Sequence, residues 1–258
     1  MKRLKIAITG SRGFIGSHLR KRLSEQGHDI IEWDLRINKP TEKLHLENYD
    51  AIFHLAAWAD VRASIKDPAR YWKNNVVNTT RIQKMCKTVN IPLFYASSSC
   101  IHNWWLSPYG TSKKVNEETA HEGQVGLRFT TVYGEGARES MLIGKLIRGK
   151  VKYLTTHTRD FIHVDDVIDA MLLIMDKKLN PHEYPNVTLK PYYDIGTGRG
   201  VIVKDLAKVA GIDVPITDGD DCEAKDNTAD NTDLLELGWK PKMKVEEYIS
   251  LHLQRDVV

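Results

Sequence analysis

The chain has 258 residues, 41% of them hydrophobic and 28% charged, and a formal net charge of +3. That length holds one large domain or two joined ones, and the scattered lysines and arginines form no basic patch, so nucleic-acid binding is not expected. No apolar run suits a membrane span and no signal-peptide region precedes the first strand, while Cys86, Cys100 and Cys222 suggest neither disulfides nor a metal site; a cytoplasmic protein is expected.

Residues 4–9 read as a buried strand ending at Gly10, and 15–26 as a helix stopped by Gly27. Strands follow at 29–33 and 51–55, a helix at 74–89, a strand at 91–97, a helix at 108–121 and a strand at 124–132. This alternation predicts an α/β fold, a Rossmann-type doubly wound parallel sheet with helices on both faces. Beyond Val132 the pattern loosens. Helices at 141–148, 164–175 and 203–210, a short intervening strand and an acidic, turn-rich stretch at 218–233 read as a small C-terminal substrate-binding lobe. The expected division is 1–133 plus roughly 161–195 for the nucleotide domain, and roughly 134–160 plus 196–258 for the lobe.

Two motifs carry chemistry. Gly10, Gly13 and Gly16 punctuate a strand-to-helix turn, where glycine lets the backbone approach a diphosphate and the helix N-terminus supplies free N–H groups. Phe14 and Ile15 open that helix. Asp34 ends the second strand, where a carboxylate binds the adenine ribose hydroxyls and disfavours a 2′-phosphate, so NAD is expected over NADP; Arg36 nearby weakens that preference, and a plain strand-capping Asp is the alternative. Downstream, Tyr109 and Lys113 stand one helical turn apart after the hydroxyl run Ser97-Ser98-Ser99. A free phenol has a pKa of about 10 and is a poor base, but a neighbouring ammonium lowers that value and makes Tyr109 usable for proton transfer.

With these motifs the chain resembles an extended short-chain dehydrogenase/reductase of the NAD-dependent sugar-nucleotide epimerase and dehydratase family, most nearly its UDP-hexose 4-epimerases. The likeness includes His54-Leu55-Ala56-Ala57, Asp67-Pro68 with Asn74-Asn75-Val76, Val132-Tyr133-Gly134, Arg159 to Asp166, Asp194 to Gly198 and Leu237 to Pro241. The resemblance implies Ser98, Tyr109 and Lys113 as the catalytic set and a bound NAD that is reduced and reoxidised within one turnover. It places Leu55, Ala56, Ala57 and Asn75 beside the cofactor, with Lys113 on the nicotinamide ribose. Ser98, Ser99, Thr131, Arg159 and Asn227 are then the substrate contacts. Arg159 would grip the nucleotide diphosphate; its alternative is a surface ion pair with Asp160. The implied assembly is a homodimer joined through the helices at 74–89 and 108–121.

The departures narrow the reaction. The Asp-Glu pair of the 4,6-dehydratases is replaced by Ser99 and Cys100, which disfavours dehydration. Ser98 to Ile101 is similar to GDP-fucose synthases, whose cysteine works with a histidine in epimerisation, but that histidine is not evident after Gly134 and Asp34 argues against NADPH. Thr131 stands where an Asn often contacts the sugar nucleotide, and Asp220 or Asp221 replaces an arginine often found before the acidic tail segment. Trp104 and Trp105, in a shortened loop, either cover the sugar or pack. The expected substrates are UDP-N-acetylglucosamine with its galacto epimer and also UDP-glucose with UDP-galactose, on the ground that Asn227 is small at the position gating N-acetyl groups. A reductase or synthase, and a non-catalytic NAD sensor of the same fold, are the alternatives.

Overall fold

The computed structural model describes residues 2–45 and 48–253. Its main sheet is built from β1 (Lys5–Thr9), β2 (Asp29–Trp33), β3 (Ala51–His54), β4 (Leu93–Ser98) and β5 (Val125–Phe129), with helix α1 (Phe14–Glu25) between the first two strands. Three helices separate β3 from β4: α2 (Val61–Lys66), α3 (Pro68–Tyr71) and α4 (Asn78–Val89). Helix α5 (Pro108–Glu118) leads into β5. After these come β6 (Thr131–Tyr133), α6 (Leu142–Ile147), β7 (Leu154–Thr155), β8 (Thr158–His163), α7 (Val164–Leu179), β9 (Tyr192–Ile195), β10 (Gly200–Ile202), α8 (Leu206–Ala210), β11 (Ile216–Thr217), α9 (Thr232–Glu236) and α10 (Val245–Leu253).

The main sheet is six-stranded in the order β2-β1-β3-β4-β5-β9, and every pair is parallel. Alternation along β1 explains the doubly wound layering: Ile6 and Ile8 join the apolar cluster under α1 and α7, while Ala7 joins Ile82 and Cys86 of α4 on the opposite face. The chain passes from β1 to β2 on one side and returns to β3 on the other. That switch opens a crevice at the strand C-termini, which is where ligands bind in such sheets.

The strand expected at 124–132 divides at Thr130. Its first half, β5, stays in the main sheet, and its second half pairs with β8 in a three-stranded sheet β10-β8-β6. The two faces of this small sheet serve different cores: Val132 and Ile162 join the main cluster, whereas Tyr133 and Phe161 join a second one with Leu146, Leu206 and Ile249. Two more differences from the sequence reading are local. The helix expected from residue 74 begins as a π-helical stretch, Trp72–Val77, and the one expected at 203–210 begins as a 3₁₀ turn. Among the described residues no helix is long and apolar enough to cross a membrane, and no cluster of three metal-ligating side chains occurs.

Candidate active site

The glycine turn joins β1 to α1. Gly10 adopts φ +68°, and a Cβ there would lie 2.8 Å from the Ala56 amide nitrogen, so the turn and the Leu55-Ala56-Ala57 segment form touching walls. A Cβ on Gly16 would fall 2.1 Å from the Gly10 carbonyl oxygen, and one on Gly13 would lie 3.1 Å from it. Gly13 begins α1 with no side-chain cap, which leaves the amides of Phe14, Ile15 and Gly16 for a ligand. Asp34 reaches back to this turn: its carboxylate accepts from the amides of Arg12 (3.0 Å) and Arg36 (2.8 Å), and the Arg36 guanidinium donates to the Arg12 carbonyl. The carboxylate thus caps the 3₁₀ turn Leu35–Ile37 and not the strand, at the edge where an adenosine ribose would sit. A narrow backbone cradle, an uncapped helix start and an acid at the end of β2 fit a dinucleotide.

Ser98 closes β4, and its hydroxyl accepts the Cys100 amide at 3.2 Å. Ser107 caps α5 by accepting the Gly110 amide, and that helix carries Tyr109 and Lys113 inward until they are 8% and 2% exposed. The Lys113 ammonium donates to the Ala96 carbonyl at 2.7 Å and lies 5.7 Å from the centre of the Tyr109 ring. Burial pushes the Tyr109 phenol above its ordinary value, with a contribution from Cys100, while a hydrogen bond with Ser98 works the other way. Burial also holds Lys113 down to about 8. The sequence argument has Lys113 lowering the phenol's pKa; in this structure desolvation dominates both groups, and the phenol is neutral.

The floor of the crevice is built from neighbours of these residues. Asn75 lies in the π-helical stretch, where the widened turn aims its side chain at the Trp58 backbone. It accepts the Trp58 amide and donates to its carbonyl, both at 2.9 Å, and donates to Ser112 at 3.3 Å. Ser64 of α2 accepts the Tyr109 amide at 3.2 Å. His54 is fully enclosed between the hydroxyls of Thr9 (2.7 Å) and Thr79 (2.9 Å), and burial lowers it to about 3, a neutral structural imidazole.

The opposite wall comes from the second sheet and the tail. Asn227 accepts the Asp160 amide at 2.8 Å and donates to Thr131 (3.2 Å) and Ser99 (3.4 Å), so three of the expected substrate contacts meet. Asp160 is fully buried and accepts from the amides of Thr197, Gly198 and Ala229, which ties the Gly196–Gly198 loop to the tail; it makes no ion pair with Arg159. Arg159 instead donates to the Ala224 carbonyl (2.8 Å) and to Glu223 (3.0 Å). Sequence reasoning missed Arg62 of α2, which pairs with Asp220 at 2.5 Å and Glu223 at 3.0 Å; no spacing pattern links residues so far apart. Cys100 is half-buried and its thiol is pushed up by desolvation, which suits a packed group more than a reactive thiolate. Trp104 and Trp105 are 39% and 61% exposed and line a cavity of about 390 Å³ with His102, Glu117, Arg128 and Tyr192, which none of Ser98, Tyr109 or Lys113 enters.

This geometry agrees with what the chain is similar to. The model of the NAD dependent epimerase/dehydratase family matches residues 6–187. The chain belongs to that family. Among its relatives, Protein CapI of Staphylococcus aureus is 32% identical over 80% of this chain and 82% of its own length. A UDP-glucose 4-epimerase of Pisum sativum is 28% identical over 94% and 93%. The solved structure of MoeE5 in complex with UDP-glucose and NAD is 27% identical and superposes with a TM-score of 0.82 over 98% of this chain and 100% of that one. NAD is the cofactor of this epimerase/dehydratase family member. The pea alignment extends over 332 positions against 258 residues here, so this chain lacks segments that the pea protein carries.

Proposed function

We propose that the protein interconverts the C4 epimers of a UDP-sugar, with UDP-N-acetylglucosamine and UDP-N-acetylgalactosamine as one pair and UDP-glucose and UDP-galactose as another. The observation that carries this reading is the burial of Ser98, Tyr109 and Lys113 together at the C-terminal end of β4. NAD, when bound, supplies a hydride acceptor that can return the hydride to either face of the sugar. Tyr109 takes the proton of the 4-hydroxyl and gives it back after the keto sugar has turned over, with the Ser98 hydroxyl bonded to the same oxygen. In the resting site Tyr109 is a neutral phenol, suited to donate toward a keto oxygen. It becomes an acceptor when a cation beside its hydroxyl stabilises the phenolate.

In this reading residues 1–133 with roughly 161–195 hold the cofactor, and roughly 134–160 with 196–258 hold the sugar nucleotide. Asp34 takes the adenine ribose, Asn75 and the Leu55–Ala57 segment line the cofactor, and Arg159 faces the diphosphate. Two copies associate through the helical segments 74–89 and 108–121, the first of which leaves Val77 and Val89 exposed.

The test is to incubate the purified protein, without added cofactor, with UDP-N-acetylglucosamine, UDP-glucose or UDP-glucuronic acid and to follow the anomeric protons by NMR. Appearance of a 4-epimer supports the reading, and the fastest sugar names the substrate. Tyr109→Phe should keep NAD and lose turnover by about 10²–10⁴-fold. No conversion even with NAD added points instead to a reductase or synthase.

A further inference from the structure

Glu223 is the only carboxylate among the described residues that the structure shows shared between guanidinium groups of the two halves of the crevice. One oxygen lies 3.0 Å from Nε of Arg62, on α2 directly after the Leu55–Ala57 wall, and the other accepts from Nη2 of Arg159, on β8, at 3.0 Å. The tail is bent to deliver it. Gly219 turns at φ +84° against the His157 imidazole, where a Cβ would come within 2.4 Å of the ring, and the chain then pairs alongside β8 through Lys225 and Asp226. His157 also faces the Arg159 guanidinium at 2.9 Å, and Asp220 contacts the same Arg62 Nε that Glu223 does, at 2.5 Å.

Two guanidinium groups facing one anion from opposite walls form a fork suited to an anion with several oxygens; here Glu223 alone bridges them, while Asp220 shares only Arg62. We propose that Arg62 and Arg159 form a two-arginine clamp for the diphosphate of the nucleotide substrate, and that Glu223 is its internal stand-in, displaced when the ligand binds. The proposal rests on the sugar-nucleotide reading above. Arg62 thereby becomes a binding residue contributed by the cofactor-side wall, and Glu223 a competitor that sets affinity and keeps the tail closed over an empty site.

The experiment is calorimetric titration of the NAD-loaded protein with UDP, uridine and inorganic pyrophosphate, in the wild type, Arg62→Gln, Arg62→Lys and Glu223→Gln, each checked by circular dichroism for an unchanged fold. Arg62→Gln should weaken UDP and pyrophosphate about tenfold and leave uridine within about twofold, with Arg62→Lys restoring part of the loss. Glu223→Gln should tighten UDP about three- to tenfold, because the competing charge is gone while the shape remains. Equal effects of Arg62→Gln on UDP and uridine, or none, would overturn the clamp, and weaker UDP binding in Glu223→Gln would overturn the stand-in. Wild type that binds pyrophosphate through Arg62 but not UDP leaves the clamp standing and removes the uridine nucleotide from the proposed function. Binding of none of the three removes both.

Discussion

Lys113 shows how much a single side chain can be asked to endure. It is 2% exposed, its ammonium has the Ala96 carbonyl as a hydrogen-bond acceptor, and burial lowers it from 10.5 to about 8. The unfolded chain therefore holds that proton more tightly than the folded one. Stability rises as pH climbs from about 8 to 10.5, and below 8 the buried charge costs its full amount, on the order of 3 kcal/mol. Lys113→Met should accordingly be inactive yet more stable than wild type by about 1–3 kcal/mol at pH 7, the gain fading toward pH 10.5. Urea unfolding at several pH values checks this; a less stable variant at pH 7 would mean that the Ala96 hydrogen bond outweighs desolvation. Asn227 poses a question of selectivity. It touches Ser99, Thr131 and the Asp160 amide, and in the proposed function a larger side chain there would press on the sugar. Asn227→Tyr should lower kcat/KM for UDP-N-acetylglucosamine about tenfold or more while UDP-glucose changes less. An equal fall for both sugars would remove the gate.

At the scale of elements, the turn from β1 to α1 is the tightest constraint, since the Gly16 position abuts the Gly10 carbonyl backbone to backbone. Gly16→Ala should cost about 1–3 kcal/mol through displacement of the turn and should weaken NAD binding more than it weakens the fold. Titration of NAD by tryptophan fluorescence alongside thermal melting separates the two effects. This turn was legible in the sequence because glycine spacing is a direct record of backbone shape. So were Tyr109 and Lys113, which share one helix face, and β1 to β5, whose apolar runs are bounded by turns. Other elements left weaker signals. β9 has four residues, follows the loop at 180–191, and exists through pairing with β5 far back in the chain. Helices α2 and α3 are six and four residues long and owe their starts to the Asp60 and Asp67 caps, too short for a periodicity to register. The π-helical stretch that aims Asn75 leaves no composition mark. Arg62 and Glu223 are 161 positions apart and meet only because α2 and the tail flank the same crevice.

For the molecule as a whole, the decisive feature is that the small sheet belongs to both cores. β6 and β8 direct Val132 and Ile162 into the main cluster and Tyr133 and Phe161 into the second, residue by alternate residue, so no flexible linker separates a cofactor half from a substrate half. Strain or loss of packing on one face of these strands is transmitted to the other through the same backbone hydrogen bonds. The chain should therefore unfold in one cooperative transition. Phe161→Ala, which empties a 3% exposed ring from the second cluster, should lower stability by about 3–5 kcal/mol and shift the entire transition. Tryptophan fluorescence is a suitable probe because Trp239 is buried in the main cluster, remote in sequence from the mutation, while far-ultraviolet circular dichroism reports both halves. Coincident midpoints that move together would make the two proposed regions one folding unit, with crevice closure arising from the tail and side chains such as Glu223. A fluorescence midpoint that stays in place while the dichroism curve splits would make them independent domains, and closure would then be a rigid-body motion of one against the other.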